Sequence, residues 1–330
     1  MTYNEINDGI WEVHGEGGPG GERNGVYIVM DEKIAIIDTG IRNTFQNEIE
    51  ECIDHAGRKE KEVKYILLTR ELHDAIGGAK QLMKMFPKAE LVCHVNAEDT
   101  LRKPYLFLPE KHFEPDKKGG RFSYQPWDRL EGVKPHAVFD NDDKFELGET
   151  TLYVVAYPGM CEGHAMFFSS KQKAIFTGGE IYIYPMSFYN YLIDRTGSAA
   201  EREKALTFIQ RAKIDMLCPA YDGAYIGSQA KDLIKQAVQA HQTFEESILV
   251  TLSSKGPSTF EEIRDEVYLS TGVSWYKPWK DLVNDLTLKA HMEKLEEEDK
   301  IFLSSKRRKK ERVWEVHDDA RIDPESVLYY

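Results

Sequence analysis

Short hydrophobic runs separated by turns open the chain. Apolar stretches at residues 10–14, 26–30 and 34–38 are typical of β-strands, and the polar triplet at residues 31–33 separates the last two. Strands joined by so few residues pair antiparallel. The pattern therefore predicts an antiparallel sheet near the amino terminus.

Helical periodicity alternates with further strands beyond this opening. Apolar residues recur at helical spacing over residues 45–55 and 76–85, and short apolar strands are predicted at residues 63–68 and 91–94. Alternation of strand and helix predicts a sheet covered by helices.

A second group of strands follows an irregular segment. Residues 103–136 contain five prolines and show no clean period, which predicts a long loop or insertion near a site. Four short strands are predicted between residues 144 and 176. A helix at residues 199–212, a strand at 216–218 and a long helix at 229–252 complete a second strand-rich half.

The carboxyl-terminal part has a different pattern. Amphipathic helices are predicted at residues 259–267 and 286–297, followed by the two strands of a hairpin at 300–303 and 312–316. This order is typical of a winged helix-turn-helix module. We divide the chain into a large domain at 1–240, a winged-helix-like domain at 241–318 and a tail at 319–330.

Composition narrows the class of protein. Lys and Arg number 43 against 56 Asp and Glu, and the resulting charge of −13 argues against nucleic acid covering the whole surface. The four cysteines lack a C-x-x-C pair, which is typical of reduced core thiols in a cytosolic protein. Neither an apolar run of about 18 residues nor a signal peptide is present. We expect a cytoplasmic protein without a membrane partner.

Six short motifs together indicate a family. They are Asn24-Gly25-Val26-Tyr27, Ile36-Ile37-Asp38-Thr39-Gly40, Leu67 to Gly78, Tyr157-Pro158-Gly159, Phe176-Thr177-Gly178 and Leu217-Cys218-Pro219. In this order they resemble the metallo-β-lactamase superfamily over about residues 8–240. The resemblance implies an α/β fold, the αββα sandwich, with its site at strand ends between two halves. Residues 241–318 resemble, more weakly, the carboxyl-terminal module of glyoxalase II-like and endoribonuclease-like members.

The resemblance also places the family's seven metal-ligand positions. They hold, in order, Arg70, Leu72, Asp74, Ala75, Met160, Gly179 and Tyr221. Asp74 alone matches the family's ligand set. Because zinc needs three or four nitrogen, sulfur or carboxylate donors, we expect no cofactor and less than stoichiometric zinc, iron or manganese in the usual dinuclear site.

A permanent positive charge stands at the first of these positions. Arg70 opposes a metal cation and favours an anion such as a carboxylate or phosphate. We therefore expect a small anionic ligand or substrate. The candidate ligand-binding residues are Arg70, His164, Asp222 and Tyr182.

Titratable residues around the motifs suggest a metal-free acid/base site. Asp74, His73 or Glu180 would transfer protons, while Arg70 or Tyr221 would stabilise negative charge. A structural alternative for Asp74 is that it caps the following helix.

Residues beside the seven ligand positions offer an alternative metal site. Zinc or iron could bind among Glu71, His73, Cys161, His164, Glu180 and Asp222. The simpler interpretation is that such neighbours point to the opposite face of the backbone.

Two further features concern partners. The aromatic residues from Tyr182 to Tyr191 could stack a flat ligand, pack in the core or form a homodimer contact. A basic run at the tip of the predicted hairpin could engage phosphates, although such a run is more often a solvated turn. It comprises Lys306, Arg307, Arg308, Lys309 and Lys310.

Three functions are compatible with these observations. The first is a hydrolase-like enzyme acting on, or a protein binding, an anionic ester, thioester or phosphoester without the usual dinuclear site. The second is a non-catalytic ligand-binding regulator, in which case the protein is a pseudoenzyme. The third is a nucleic-acid-associated protein that uses the basic hairpin.

Overall fold

The computed structural model describes residues 2–16, 23–104, 130–181, 193–271, 285–308 and 310–323. The strands in these ranges are β1 (Tyr3–Asn7), β2 (Ile10–Glu16), β3 (Arg23–Met30), β4 (Ile34–Ile37), β5 (Val63–Leu67), β6 (Glu90–His94), β7 (Ala137–Phe139), β8 (Lys144–Glu146), β9 (Thr151–Val155), β10 (Met166–Ser169), β11 (Ala174–Gly178), β12 (Met216–Pro219), β13 (Tyr225–Ile226), β14 (Ile301–Arg308) and β15 (Glu311–Val316). The helices are α1 (Gln46–His55), α2 (His73–Ile76), α3 (Ala79–Met85), α4 (Glu98–Arg102), α5 (Ala199–Arg211), α6 (Ser228–Lys255), α7 (Phe260–Thr271) and α8 (Asp285–Glu297).

Strands β1 to β13 form two sheets. The first has the order β1-β2-β3-β4-β5-β6-β7, antiparallel from β1 to β4 and parallel from β4 to β7. The second has the order β13-β12-β11-β10-β9-β8, and its β11–β12 pair is parallel. The antiparallel opening and the later strand–helix alternation therefore belong to one sheet.

Hydrophobic side chains join the two sheets face to face. Val29 and Leu67 of the first sheet lie in one buried cluster with Phe167 and Phe176 of the second. A separate cluster packs α1 and α3 on the outer face of the first sheet, and another packs α5 and α6 on the second. Each fully buried aliphatic or aromatic side chain contributes about 1.5–3 kcal/mol to folding. This layering is the αββα arrangement of a mixed α/β fold.

Helix α6 continues beyond the sandwich. Its first half carries Leu233, which packs with the second sheet, and its second half carries Ile248, which packs with α7, α8 and the β14–β15 hairpin. The predicted boundary between residues 240 and 241 lies within this helix. None of the described helices combines the length and apolar character needed to span a bilayer.

The structure differs from the predicted elements at several places, and α4, β7 and β13 have no counterpart among the predicted elements. The helix predicted at 76–85 is divided into α2 and α3 at Gly77 and Gly78, where a Cβ on Gly78 would lie 2.3 Å from the Thr39 carbonyl oxygen. Strand β1 was not predicted, because it is a largely exposed edge strand with mostly polar residues. Residues 105–129 of the predicted long loop lie outside the described ranges.

Candidate functional site

The candidate site lies where strands of both sheets end. Asp38 directly follows β4, Arg70 follows β5 and Tyr221 follows β12. The contacts described below link Asp38 to Arg70, and link Arg70 and Tyr221 to Asp74 of α2. Loops at the carboxyl ends of strands are a usual place for functional residues in α/β folds.

Asp38 fixes the turn that carries Arg70. Its backbone has a φ of 64°, in the left-handed region that Asp tolerates better than most residues. Its carboxylate accepts hydrogen bonds from the Thr69 backbone N–H and the Thr69 hydroxyl, both at 2.7 Å. The end of β5 is therefore held against the end of β4 by a buried carboxylate.

The Arg70 guanidinium is fully buried between two carboxylates. Its Nη2 lies 2.5 Å from Oδ2 of Asp74, and its Nη1 lies 3.2 Å from Oδ2 of Asp38. Burial alone would lower the pKa of Arg70, but the charges of Asp74 and Asp38 raise it well above its ordinary value. Arg70 is thus a permanent cation whose counter-ions are residues of the same chain.

Asp74 also bonds the residue that follows β12. The Tyr221 hydroxyl donates to the same Oδ2 that receives Arg70. Burial raises the pKa of Asp74, but Arg70 and its other polar neighbours outweigh burial and lower this pKa to about 2. Burial dominates at Asp38, where it raises the pKa although Arg70 and Thr69 oppose it. Asp74 is therefore the more firmly ionised of the two carboxylates.

Comparison with known proteins identifies the family. The sequence model of the Metallo-beta-lactamase superfamily matches residues 18–221. The chain belongs to the metallo-β-lactamase superfamily. Comparison with curated proteins gave no significant match.

Solved structures share the fold at low sequence identity. A metallo-beta-lactamase family protein from Thermus thermophilus has a TM-score of 0.70 at 16% identity, covering 95% of this chain and 100% of the other. A beta-lactamase domain protein from Burkholderia ambifaria has a TM-score of 0.69 at 14% identity, covering 96% and 93%. Rubredoxin oxygen:oxidoreductase from Desulfovibrio gigas has a TM-score of 0.55 at 13% identity, covering 76% and 68%.

Three of the residues that the resemblance assigns to ligand positions have apolar side chains in the core. Leu72, Ala75 and Met160 belong to the buried cluster beneath the first sheet. Met160 also lies beside a fourth position, because a Cβ on Gly179 would be 2.4 Å from its Sδ. The space next to the Gly179 backbone is thus filled by a thioether.

Of the two predicted histidines, His164 is buried and His73 is half-buried. His164 is fully buried, with Nε2 3.1 Å from the Thr177 carbonyl oxygen and Nδ1 3.6 Å from Oε2 of Glu180. Burial lowers the pKa of His164 to about 3, so its imidazole is neutral at pH 7. His73 starts α2, and burial lowers its pKa as well. Burial thus favours the neutral form of both imidazoles.

Glu180 lies deeper than the sequence indicates. Its side chain is fully buried, and Oε1 lies 3.4 Å from Nε of Arg202 on α5. Burial raises the pKa of Glu180 to about 7, although Arg202 opposes this. Arg202 was missed by sequence reasoning. Its position with Ala199, Ala205 and Ile209 on the buried face of α5 was the available signal.

Cys161 and Glu71, two other candidate metal ligands, contact each other. The Cys161 thiol donates to Oε2 of Glu71 at 3.3 Å, and the Gly163 N–H donates to Oε1 at 3.2 Å. Burial raises the pKa of Cys161 well above its ordinary value, so its thiol stays protonated. Asp222 is half-buried next to Tyr221. Tyr182 and the rest of the aromatic run to Tyr191 lie outside the described residues.

Among the described residues, one set of three His, Cys, Asp or Glu side chains places its ligand atoms within 4.8 Å of one another. That set is His241, Glu245 and His291, on α6 and α8 and outside the strand-end site.

Proposed function

We propose that this superfamily member binds an anionic ester, thioester or phosphoester without a dinuclear metal site, and that it acts as a ligand-binding regulator. The observation that carries the proposal is the buried ion pair between Arg70 and Asp74. By the sequence resemblance these residues stand at the first and third ligand positions. The cation beside the one surviving ligand residue is therefore a guanidinium.

The residues at the ligand positions do not fit zinc or iron. Oδ2 of Asp74 already accepts from both Arg70 and Tyr221. Zinc takes three or four donors at about 2.0–2.3 Å, whereas Leu72, Ala75 and Gly179 have no donor atom. A metal ion next to Arg70 would also meet strong repulsion in a poorly polarisable interior. Metal-dependent hydrolysis is consequently not part of the proposal.

Burial of the candidate catalytic groups favours binding over catalysis. Asp74 and Tyr221 are 3% and 2% exposed, and Glu180 is fully buried. A general acid or base must come within about 2.6–3.2 Å of the substrate or of one bridging water. Side chains that are already enclosed and bonded to protein groups are poorly placed for that role.

A basic groove beside the site supports an anionic ligand. It has a volume of about 330 Å³ and adjoins Gly77, three residues after Asp74. Its charged lining residues are Arg42, Lys80, Lys84 and Glu131. Three cations against one carboxylate leave two positive charges, which suit a phosphate or carboxylate. Since Arg70 is neutralised internally, we assign recognition of the anion to this groove.

Binding and turnover test the proposal separately. Calorimetric titration with pyrophosphate should show binding that Arg42→Gln, Lys80→Gln and Lys84→Gln together weaken at least about tenfold, which corresponds to 1.4 kcal/mol. Lys144→Gln, in a surface pair on β8, is the matched control. A panel of thioesters and phosphodiesters should give equal residual rates with wild type and Asp74→Ala. Turnover that depends on Asp74, or pyrophosphate binding unaffected by the triple change, contradicts the proposal.

A second candidate, nucleic-acid binding, is favoured by one feature of the β14–β15 hairpin. Arg307 and Arg312 stand directly opposite each other on its two strands, and both are exposed. Like charges in facing positions destabilise a hairpin unless an anion lies between them. Lys306 pairs with Glu315 and Arg308 with Glu262, which lowers the local charge. Lys309 lies outside the described residues.

A further inference from the structure

A buried cluster of two histidines and one glutamate joins helices α6 and α8. His241 and Glu245 lie one helical turn apart on α6, and His291 faces them from α8. The three residues are 3%, 8% and 1% exposed. Nε2 of His241 and Nδ1 of His291 lie 3.3 and 3.2 Å from the same atom, Oε1 of Glu245.

Both distances to Oε1 of Glu245 match the spacing of ligand atoms around a tetrahedral zinc ion, and all three ligand atoms lie within 4.8 Å of one another. Bonds of about 2.0–2.1 Å place neighbouring tetrahedral ligands about 3.3–3.4 Å apart. Two imidazoles and a carboxylate are also a common three-residue zinc set that leaves a fourth position for water. The cluster therefore has both the chemistry and the spacing of a metal centre.

His241 supplies an independent observation. Although Nε2 lies 3.3 Å from Oε1 of Glu245, neither ring nitrogen is in hydrogen-bond geometry with a described residue, and both are buried. A buried polar atom without a partner is unfavourable and uncommon in folded proteins. A metal ion bound to Nε2 would satisfy that atom and would draw the ring towards Glu245.

The charged side chains around the cluster have a net negative charge, which favours binding of a cation. The Lys294 ammonium lies 2.9 Å from Oε2 of Glu245, 3.2 Å from Glu203 and 2.9 Å from Glu298. Lys300 also lies 2.7 Å from Glu298, so three carboxylates and two ammonium groups leave one negative charge, which favours a cation. Lys294 holds one carboxylate oxygen, which orients the other towards the imidazoles.

We propose that His241, Glu245 and His291 bind one zinc ion, with water as the fourth ligand. The ion fastens α8 to α6. Helix α8 is already tied to the segment before α5, because the Ile193 N–H donates to the Thr287 hydroxyl at 3.0 Å. The metal would thus strengthen the attachment of the carboxyl-terminal part to the sandwich.

Zinc content and cobalt spectroscopy test the site. The full-length chain is dialysed against zinc and desalted, and the bound metal is counted by elemental analysis. Cobalt substitution then reports the ligand geometry through its visible absorption. His241→Gln removes the ligand nitrogen, whereas His241→Cys restores a donor. His317→Gln, outside the cluster, and Asp74→Asn, in the strand-end site, are the matched controls.

The expected result is one zinc per wild-type chain and tetrahedral cobalt absorption. Affinity should fall at least tenfold in His241→Gln, recover in His241→Cys and stay unchanged in both controls. The midpoint of thermal unfolding should rise with added zinc in wild type and not in His241→Gln. Failure of wild type to retain zinc, or retention that depends on Asp74 and not on His241, overturns the proposal. In either case the pyrophosphate and turnover measurements still decide the proposed function.

Discussion

Nη2 of Arg70 lies 2.5 Å from Oδ2 of Asp74, and both side chains are buried. The cation between the carboxylates of this strand-end site is the guanidinium of Arg70. The second carboxylate, Asp38, lies on the neighbouring strand end and contacts the same guanidinium. This arrangement predicts how the site responds to mutation and to pH.

Removing the guanidinium should strongly destabilise the fold. Arg70→Met keeps much of the side-chain volume but leaves the carboxylates of Asp38 and Asp74 buried without their cation. Loss of one partner from a buried ion pair costs about 3–5 kcal/mol. Urea unfolding followed by circular dichroism measures the change in the free energy of unfolding.

Arg102→Met provides the matched control for this experiment. Arg102 forms an exposed pair with Glu98 on α4, and such pairs are worth less than about 1 kcal/mol. A similar small loss in both variants would show that the Arg70 pair adds little to stability.

Stability should fall in acid partly because Asp74 is protonated. The pKa of Asp74 is about 2 in the folded protein against an ordinary value of 3.8. Its ionised form therefore stabilises the fold fully above about pH 4, and this contribution is lost as the pH falls through 2. The difference between the two pKa values corresponds to about 2 kcal/mol.

Comparison with Asp74→Asn isolates this contribution from that of Asp38. Urea unfolding at several pH values between 2 and 7 should show a stability difference between wild type and variant that is constant above pH 4 and shrinks below it. A difference that does not vary with pH would rule out a lowered pKa at Asp74.

Filling the space at Gly179 should destabilise the protein through Met160. The added Cβ of Gly179→Ala would lie 2.4 Å from the Met160 Sδ, and overpacking of this kind costs about 1–3 kcal/mol. In the double variant with Met160→Ala the clash is absent, so the two changes should be non-additive in a double-mutant cycle. Gly25→Ala is the control, since its new Cβ would meet its nearest atoms at 3.7 Å. Additive losses of unfolding free energy would show that the two residues do not interact.

Nucleic-acid binding, if it occurs, should depend on the hairpin. Changing residues 306–310 to Ser should abolish salt-sensitive binding of a short DNA duplex and of single-stranded RNA in a mobility-shift assay. In a plot of the logarithm of duplex affinity against the logarithm of salt concentration, each lost phosphate contact should make the slope shallower by about 0.9. Lys59→Ser with Lys61→Ser, both on an exposed turn, is the control. Unchanged binding by the hairpin variant would eliminate this candidate function.

The sequence predicted many of the individual strands and helices because their signals are local, whereas the sandwich was implied by the family resemblance. Strands such as β5 and helices such as α5 lie within two residues of their predicted bounds, since apolar periodicity and turn residues act over a few positions. The edge strand β1 was missed because exposed strands lack an apolar pattern.

The site was harder to predict from the sequence because its contacts join residues that are distant along the chain. The sequence showed that Arg70 places a positive charge where the resemblance expects a metal ligand. Its pairing with Asp38, however, depends on the parallel register of β4 and β5. The fit of Met160 against Gly179 likewise depends on packing between loops of both halves. Charge and donor chemistry could be inferred from residue types, whereas the burial that makes Arg70 an internal counter-ion could not.

Helix α6 has a consequence for how the molecule unfolds. Its 28 residues extend about 42 Å and contribute to two hydrophobic clusters, one in the sandwich and one in the carboxyl-terminal part. A chain cut near residue 240 would lose the second half of this helix together with Phe244 and Ile248. Because neither cluster is complete without the same continuous helix, we expect the two parts to melt as one cooperative unit and not as independent modules.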